Sequence, residues 1–347
     1  MQRILATLLA GRSLTRDEAA RAFELILTGQ ANESQVAAML ALLQVKGVVL
    51  DELVGGARTM RAHVTPVPIP AHREADIRPG LIDTCGTGGA PKTFNISTAA
   101  AIVAAAAGKS CSPRIRVAKH GGRSRTGRGS AEVLAALGVN IDASPEVQAR
   151  CLDEAGVCFS FAVHHHPAMK FAAGPRKSLG FPTVFNLLGP LCNPAGARRQ
   201  LMGVYTRDAV ELVARALLEL GAEEAMVVHG MDGMDEITTL DRTLVAHVAG
   251  GGVTLHEIDA RTLGITRPDR SALEASTIEE SANVMRRVLA GEPGPARDIV
   301  ALNAGAALVV GGAARDLGGG MRLALDALDR GEAQRTLDEL RIWSNRA

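Results

Sequence analysis

The chain changes rhythm at Pro66, Pro68 and Pro70, and only a two-part fold accommodates both halves. Three prolines at alternate positions hold an extended linker, because each fixes its own φ and biases its neighbour away from helix. Downstream of them, short apolar runs alternate with helical runs. Candidate strands cover 81–84, 115–119, 157–163, 201–205, 225–229, 244–248 and 253–258. Their apolar residues are consecutive rather than alternating, as expected of strands covered on both faces. With helices between most of them, they predict an α/β domain over 75–347 whose central sheet is mostly parallel. In such sheets ligands bind beyond the carboxyl ends of the strands, so chemistry is expected in the segments that follow them.

Residues 1–65 read as a small all-helical domain. The N-terminus reads as helical turns with charges throughout. Thr15 to Glu18 has the S/T-x-x-E capping pattern, followed by Phe23, Ile26 and Leu27 at helical spacing and by Gly29 as a stop. Asn32 to Gln35 repeats the start, Val36, Met39, Leu40 and Leu43 form one stripe, and Gly47 ends it. Asp51 opens a further helix carrying Leu53, Ala57 and Met60. Such short amphipathic helices cannot bury their stripes alone; they need the rest of the chain or a second copy.

Of the 347 residues, 47% are hydrophobic but only 3% aromatic, so the core must be built from Ala, Leu, Val and Gly at close quarters. The net charge of +1, without a basic run interleaved with aromatics, gives no sign of a nucleic-acid surface. The five cysteines form no C-x-x-C pair and are odd in number, which fits reduced thiols in a cytoplasmic protein better than a disulfide framework. No basic flank precedes an apolar stretch, so no signal peptide is expected, and the small apolar run 99–108 is too short to span a bilayer.

Four segments after candidate strands carry the chemistry. Asp83-Thr84-Cys85-Gly86-Thr87-Gly88-Gly89 lets the backbone turn tightly and bring its amides to an anion. Asn95-Ile96-Ser97-Thr98 opens an Ala-rich helix whose free amides and side-chain donors suit a phosphate; the plainer reading is an N-cap. Lys119-His120-Gly121-Gly122-Arg123, with Arg125 and Arg128, forms a cationic loop among glycines. It is followed by Ser130, read as the N-cap of a helix over 131–137. His229 to Glu236 holds Asp232, Asp235 and Glu236, oxygen ligands for a hard cation such as magnesium. His164, His165 and His166 are consecutive, point in different directions and make poor joint zinc ligands. Arg176 lies on an expected helix, where it could fork a carboxylate or simply be a surface residue. Together these segments suit a sugar bearing a phosphate and a magnesium-bound pyrophosphate.

Gly86 to Gly89, Asn95 to Thr98, Lys119 to Gly121, His166-Pro167, Arg176, Asn186 to Leu191 and Asp235-Glu236 match, in order and spacing over almost the whole chain, a known motif series. The chain resembles the anthranilate phosphoribosyltransferases. That resemblance implies transfer of a phosphoribosyl group from phosphoribosyl pyrophosphate to anthranilate, with substrates between the two domains. It also implies a helical domain completed by helices near 166–185, a homodimer through that domain, and two magnesium ions per subunit. Gly86, Gly88, Gly89, Thr93, Asn95, Ser97, Thr98, Lys119 and Ser130 would contact phosphoribosyl pyrophosphate. Gly86, His120 and Arg176 would contact anthranilate, and Ser97, Asp235 and Glu236 the metal. The sequence departs from the series at Ala90, where an Asp is usual, at Gly122, where an Asn is usual, and in a shortened 122–129 loop where Thr126-Gly127 replaces paired serines. A pyrimidine nucleoside phosphorylase of the same fold is the alternative; it works without magnesium, and Asp235-Glu236 argues against it.

Overall fold

The computed structural model describes residues 1–88, 93–122 and 129–346. Gly89 and Ala90, together with Arg123, Arg125, Thr126-Gly127 and Arg128 of the cationic loop, lie outside the described residues.

The helical half contains α1 (Gln2–Leu9), α2 (Arg16–Leu27), α3 (Glu33–Lys46) and α4 (Leu50–Ala62). Both expected starts are capping boxes. The Thr15 hydroxyl accepts from the Glu18 amide at 3.3 Å while Glu18 Oε2 accepts from the Thr15 amide at 3.0 Å. Asn32 and Gln35 exchange the same pair of bonds at 2.9 and 3.2 Å. Each such cap is worth about 1 kcal/mol, because it satisfies amides that the helix leaves free. Glu52, fully buried, accepts from the amides of Leu14 and Val49 at 2.9 and 3.0 Å and pairs with Lys46 at 3.0 Å. It thereby joins the α1–α2 connection to the turn between α3 and α4.

The strands are β1 (Leu81–Gly86), β2 (Arg116–Gly121), β3 (Val157–Phe161), β4 (Arg199–Gly203), β5 (Glu224–Gly230), β6 (Arg242–Ala249) and β7 (Gly252–Asp259). All seven expected runs are strands, with ends shifted by one or two residues. Strand β3 stops at Phe161 because Ala162–His165 turns helical. The sheet order is β3-β2-β1-β4-β5-β6-β7. Pairing is parallel from β3 through β5 and antiparallel across β6 and β7. The fold is thus a small helical domain beside a large α/β domain with a mostly parallel sheet.

Alternation along each strand divides the core in two. Ile82, Leu201, Met226 and Val245 face a cluster that includes the helices Ile96–Gly108 and Pro295–Val310. Met202, Val227 and Ala246 face the other cluster, which contains Phe23, Leu40 and Leu53 of the helical half with Ala172, Phe185 and Leu188. The apolar stripes of α2 to α4 are therefore buried within the chain, by the second face of the sheet and by helices Lys170–Leu179 and Val184–Leu188. Leu9 and Val45 remain 76% and 88% exposed, so the helical half keeps apolar side chains on its outer surface.

The chain runs outward from β1 to β3, then returns to place β4 on the other side of β1. Strand order reverses there, and the crevice beyond the carboxyl ends of β1 and β4 is where such sheets bind ligands.

Candidate active site

Four segments meet at that crevice. The β1 end leads into Thr87, whose amide donates to the Gly203 carbonyl at 3.0 Å and whose hydroxyl accepts from the Tyr205 amide at 3.0 Å. The turn from β1 is thus pinned to the end of β4. Gly88 follows with φ +68°, a conformation glycine adopts without strain. Its amide donates to Asp235 Oδ2 at 3.2 Å, and a β-carbon on Gly86 would meet that same oxygen at 2.7 Å.

Helix Ile96–Gly108 begins at the same place. Asn95 occupies its N-cap position without capping it: Asn95 Oδ1 accepts from the Ser281 hydroxyl at 2.8 Å, and the Asn95 amide donates to Ser281 Oγ at 3.1 Å. The Ser97 amide, freed by the helix start, donates to Glu236 Oε1 at 3.2 Å. Lys119, at the end of β2 and buried, donates to the Thr84 carbonyl at 2.7 Å and to Ser97 Oγ at 3.2 Å. Thr84, Lys119, Ser97 and Glu236 form one hydrogen-bonded row from β1 to the acidic loop. The Thr98 hydroxyl is buried and has no hydrogen-bond partner among the described residues. Thr93 bridges to Glu274, and the Phe94 amide donates to the Leu273 carbonyl, so the segment before the helix is held from behind.

The structure sorts the three carboxylates of the acidic loop. Asp232 is absorbed by its own turn: it accepts from the Thr238 hydroxyl at 3.0 Å and from the Met234 amide at 3.4 Å, and meets Arg270 at 3.5 Å. Asp235 and Glu236 instead face the crevice with amides of Gly88 and Ser97. Burial raises the pKa of both, and the neighbouring Asp235 charge helps push Glu236 up to about 8. Burial also lowers the Lys119 pKa, against the pull of Asp83. Two carboxylates and a serine hydroxyl, crowded and deprived of water, are an all-oxygen donor set whose mutual repulsion a divalent cation would relieve. They fit magnesium, which takes one or two carboxylates and completes its shell with water and phosphate.

On the other side of Lys119 lies a neutral histidine pair. His120 and His166 are buried with their Nε2 atoms 3.2 Å apart. Burial and the His166 ring hold His120 well below the ordinary imidazole range, and burial with the neighbouring His165 brings His166 down to about 4. The other two consecutive histidines go elsewhere: His164 to Asp142 at 2.7 Å, and His165 to the Thr65 carbonyl and Gln148 at 2.6 and 3.0 Å. They share no ligand position, and no group of three His, Cys, Asp or Glu side chains among the described residues could hold a metal. Arg176, on Lys170–Leu179, lies over the Phe185 ring at 5.3 Å, and burial lowers its pKa. Asn186 accepts from the Thr183 amide at 3.1 Å and so caps its own short helix.

One expectation needs adjustment. Ser130 is the first residue of helix Ser130–Ala136, and Gly129 is its N-cap. Its Oγ lies 2.4 Å from where a β-carbon on Gly121 would be, hence against the end of β2. At Gly122, among the described residues, a β-carbon would meet only Ala162 Cβ, at 3.9 Å.

A buried polar pair lies beneath these groups. Asp83 is fully buried; its Oδ1 accepts from the His120 amide at 3.1 Å and its Oδ2 from Gln200 Nε2 at 3.2 Å. Gln200 also donates to the Pro190 carbonyl at 2.7 Å, tying the 189–191 turn to β1. The signal for Asp83 was a charged residue inside an otherwise apolar strand; Gln200 offered none.

The helical half and the α/β half together define a glycosyltransferase: the glycosyl transferase family, helical bundle domain, matches residues 2–64, and the glycosyl transferase family, a/b domain, matches residues 78–334. Anthranilate phosphoribosyltransferase from Rubrobacter xylanophilus is 49% identical over 332 residues, covering 95% of this chain and 93% of that protein. The same enzyme from Symbiobacterium thermophilum is 44% identical over 348 residues, 100% and 98% of the two chains. The crystal structure of anthranilate phosphoribosyltransferase from Thermus thermophilus superposes with a TM-score of 0.89 at 37% identity over 99% of both chains. The Saccharomyces cerevisiae enzyme in complex with PRPP and Mg shares the fold, with a TM-score of 0.87 at 24% identity over 99% of this chain and 97% of that one. The chain belongs to the anthranilate phosphoribosyltransferase family.

Proposed function

We propose that this protein transfers the 5-phosphoribosyl group of phosphoribosyl pyrophosphate to the amine of anthranilate, giving N-(5-phosphoribosyl)anthranilate and pyrophosphate in tryptophan biosynthesis. The observation that carries this reading is the row Thr84, Lys119, Ser97 and Glu236 at the strand-order reversal, with Asp235 beside it. That row sets a cation, a helix start and a carboxylate pair around one point, as a phosphorylated sugar with a metal-bound leaving group requires.

In the reaction the C1–N bond forms, the C1–O bond to pyrophosphate breaks, and the amine gives up a proton. Positive charge grows on the ribose and negative charge on the leaving group. Gly86, Gly88 and Gly89 would lie against the pyrophosphate, as would Ser130. Thr93, Asn95, Thr98 and Lys119 would hold the phosphorylated ribose, and Lys119 adds fixed positive potential where negative charge develops. Ser97, Asp235 and Glu236 would hold two magnesium ions per subunit, which supply charge neutralisation of the departing pyrophosphate. Arg176 would fork the anthranilate carboxylate while neutral His120 and Gly86 wall the ring. Anthranilate's amine is weakly basic and needs little deprotonation, so positioning dominates, and orientation alone can supply several kcal/mol, with roughly 7–11 as the upper range. The pyrimidine nucleoside phosphorylase reading is not favoured, because Asp235 and Glu236 would have no metal to bind.

The helical domain would span 1–65, completed by the helices near 166–185, and the substrate domain 75–347. Exposed Leu9 and Val45 support a homodimer through the helical domain. No helix among the described residues is long and apolar enough to cross a membrane, and the five cysteines are free, which supports a cytoplasmic enzyme. Loss of anthranilate fluorescence on adding phosphoribosyl pyrophosphate, dependent on magnesium, tests the reading. No loss at any magnesium concentration would sink it.

A further inference from the structure

We infer that Asn303 is a positioning residue that sets the direction of the Asp235 and Glu236 carboxylates. The inference rests on the reading of those carboxylates as magnesium ligands and asks what holds them in place.

Asn303 is fully buried within Pro295–Val310, where every residue from Ile299 onward is buried and the others are aliphatic, alanine or glycine. An amide in such a place needs partners, and packing alone would be served by leucine. Its partners are specific. Oδ1 accepts from the Ile237 amide at 3.0 Å, while Nδ2 donates to the Ile237 carbonyl at 2.9 Å and to the Ile299 carbonyl, one turn back, at 2.9 Å. One side chain thus grips both peptide groups of a single residue, as a neighbouring strand would. Ile237 follows Glu236 directly. Holding the 236–237 peptide plane limits the directions open to the Glu236 side chain, whose Oε1 accepts from the Ser97 amide at 3.2 Å.

The flanks are fixed as well. On the far side Thr238 donates its amide to Thr243 Oγ1 at 3.0 Å and its hydroxyl to Asp232. On the near side the Asp235 carbonyl rests on Gly203. Two side chains escape these ties and face the crevice, and they are the two carboxylates. Outer-shell residues of this kind tune metal affinity by orienting ligands.

Asn303→Ser tests the clamp. Its hydroxyl can still bond the Ile299 carbonyl within its own helix, but it releases Ile237. Initial rates are measured against magnesium concentration at saturating substrates, together with the anthranilate KM, thermal unfolding, and the same titration of Glu236→Gln. The expected result is a roughly ten-fold rise in the magnesium concentration for half-maximal rate with the anthranilate KM nearly unchanged. Asn303→Leu fills the same apolar helix face, makes neither bond to Ile237, and carries the same readout if the serine variant does not fold. A folded variant whose magnesium requirement is unchanged overturns the proposal, even if it melts earlier. If Glu236→Gln also leaves the requirement unchanged, the metal assignment itself falls, and the clamp with it.

Discussion

Gly203, at the end of β4, lies directly against Asp235: a β-carbon added to it would stand 1.6 Å from the Asp235 carbonyl oxygen. The acidic loop is therefore seated on a glycine that belongs to a strand 32 positions earlier. Gly203→Ala cannot be accommodated by a rotamer change, because the clashing atom is backbone. The loop must lift, at a cost of about 1–3 kcal/mol typical of overpacking. Thermal unfolding should show that loss, and turnover should fall more steeply than stability because both carboxylates move. A Gly203→Ala enzyme with parental rates would show that the loop is not held there.

Removing one carboxylate separates its catalytic from its structural contribution. Burial raises the pKa of both Asp235 and Glu236, and repulsion from the Asp235 charge raises that of Glu236 further. Glu236→Gln relieves that repulsion. In chelator-treated protein the melting temperature should stay level or rise, while turnover with magnesium falls roughly 10²- to 10³-fold, the scale for losing one preorganised transition-state stabiliser. Parallel losses of stability and rate would argue for a structural carboxylate instead.

Arg176 should act on acceptor binding. Its guanidinium sits over the Phe185 ring in surroundings that lower its pKa, so its charge is held at a desolvation cost. A charge-assisted bond there is worth about 1.5–3 kcal/mol, so Arg176→Ala should raise the anthranilate KM roughly 10- to 100-fold. The KM for phosphoribosyl pyrophosphate should change little. Steady-state kinetics with each substrate varied in turn would reveal this asymmetry, and an unchanged anthranilate KM would remove Arg176 from the site.

The sequence made local signals legible and left distant partners hidden. The capping boxes at Thr15 and Asn32, the seven apolar strands and the glycine-rich turn after β1 all depend on residues within a few positions of one another. Ser130 was misplaced by one position because either Gly129 or Ser130 can serve as a cap, and only backbone dihedrals decide. In the sequence Asp232 reads as a third oxygen ligand, whereas in the fold its contacts with Thr238 and Met234 commit it to the turn. Asn303 and Ile237 are 66 residues apart, as are many supports of this kind, and no period or motif connects them.

Beneath the site, Asp83 should give the enzyme a measurable acid-side signature. Burial is the largest influence on its carboxyl and pushes the pKa from 3.8 up to about 6, against the pull of Asn193, the His120 amide and Lys119. In the unfolded chain the group loses its proton near the ordinary value. Between roughly pH 4 and 6 the native state therefore holds a proton that the unfolded state has released. The sign follows: this contribution favours the native state most below that window, weakens as pH rises through it, and is flat above it. A shift of that size corresponds to a change on the order of 3 kcal/mol. Asp83→Asn removes the titration while keeping the side chain's shape, although its amide cannot accept from both the His120 amide and Gln200. Urea unfolding of parent and variant at pH 4, 5, 6 and 7 isolates the effect as a difference. The parent's stability relative to the variant should fall between pH 4 and 6 and hold constant beyond. A constant difference across the whole range would mean that Asp83 keeps its charge throughout, with Lys119 as its effective counterion.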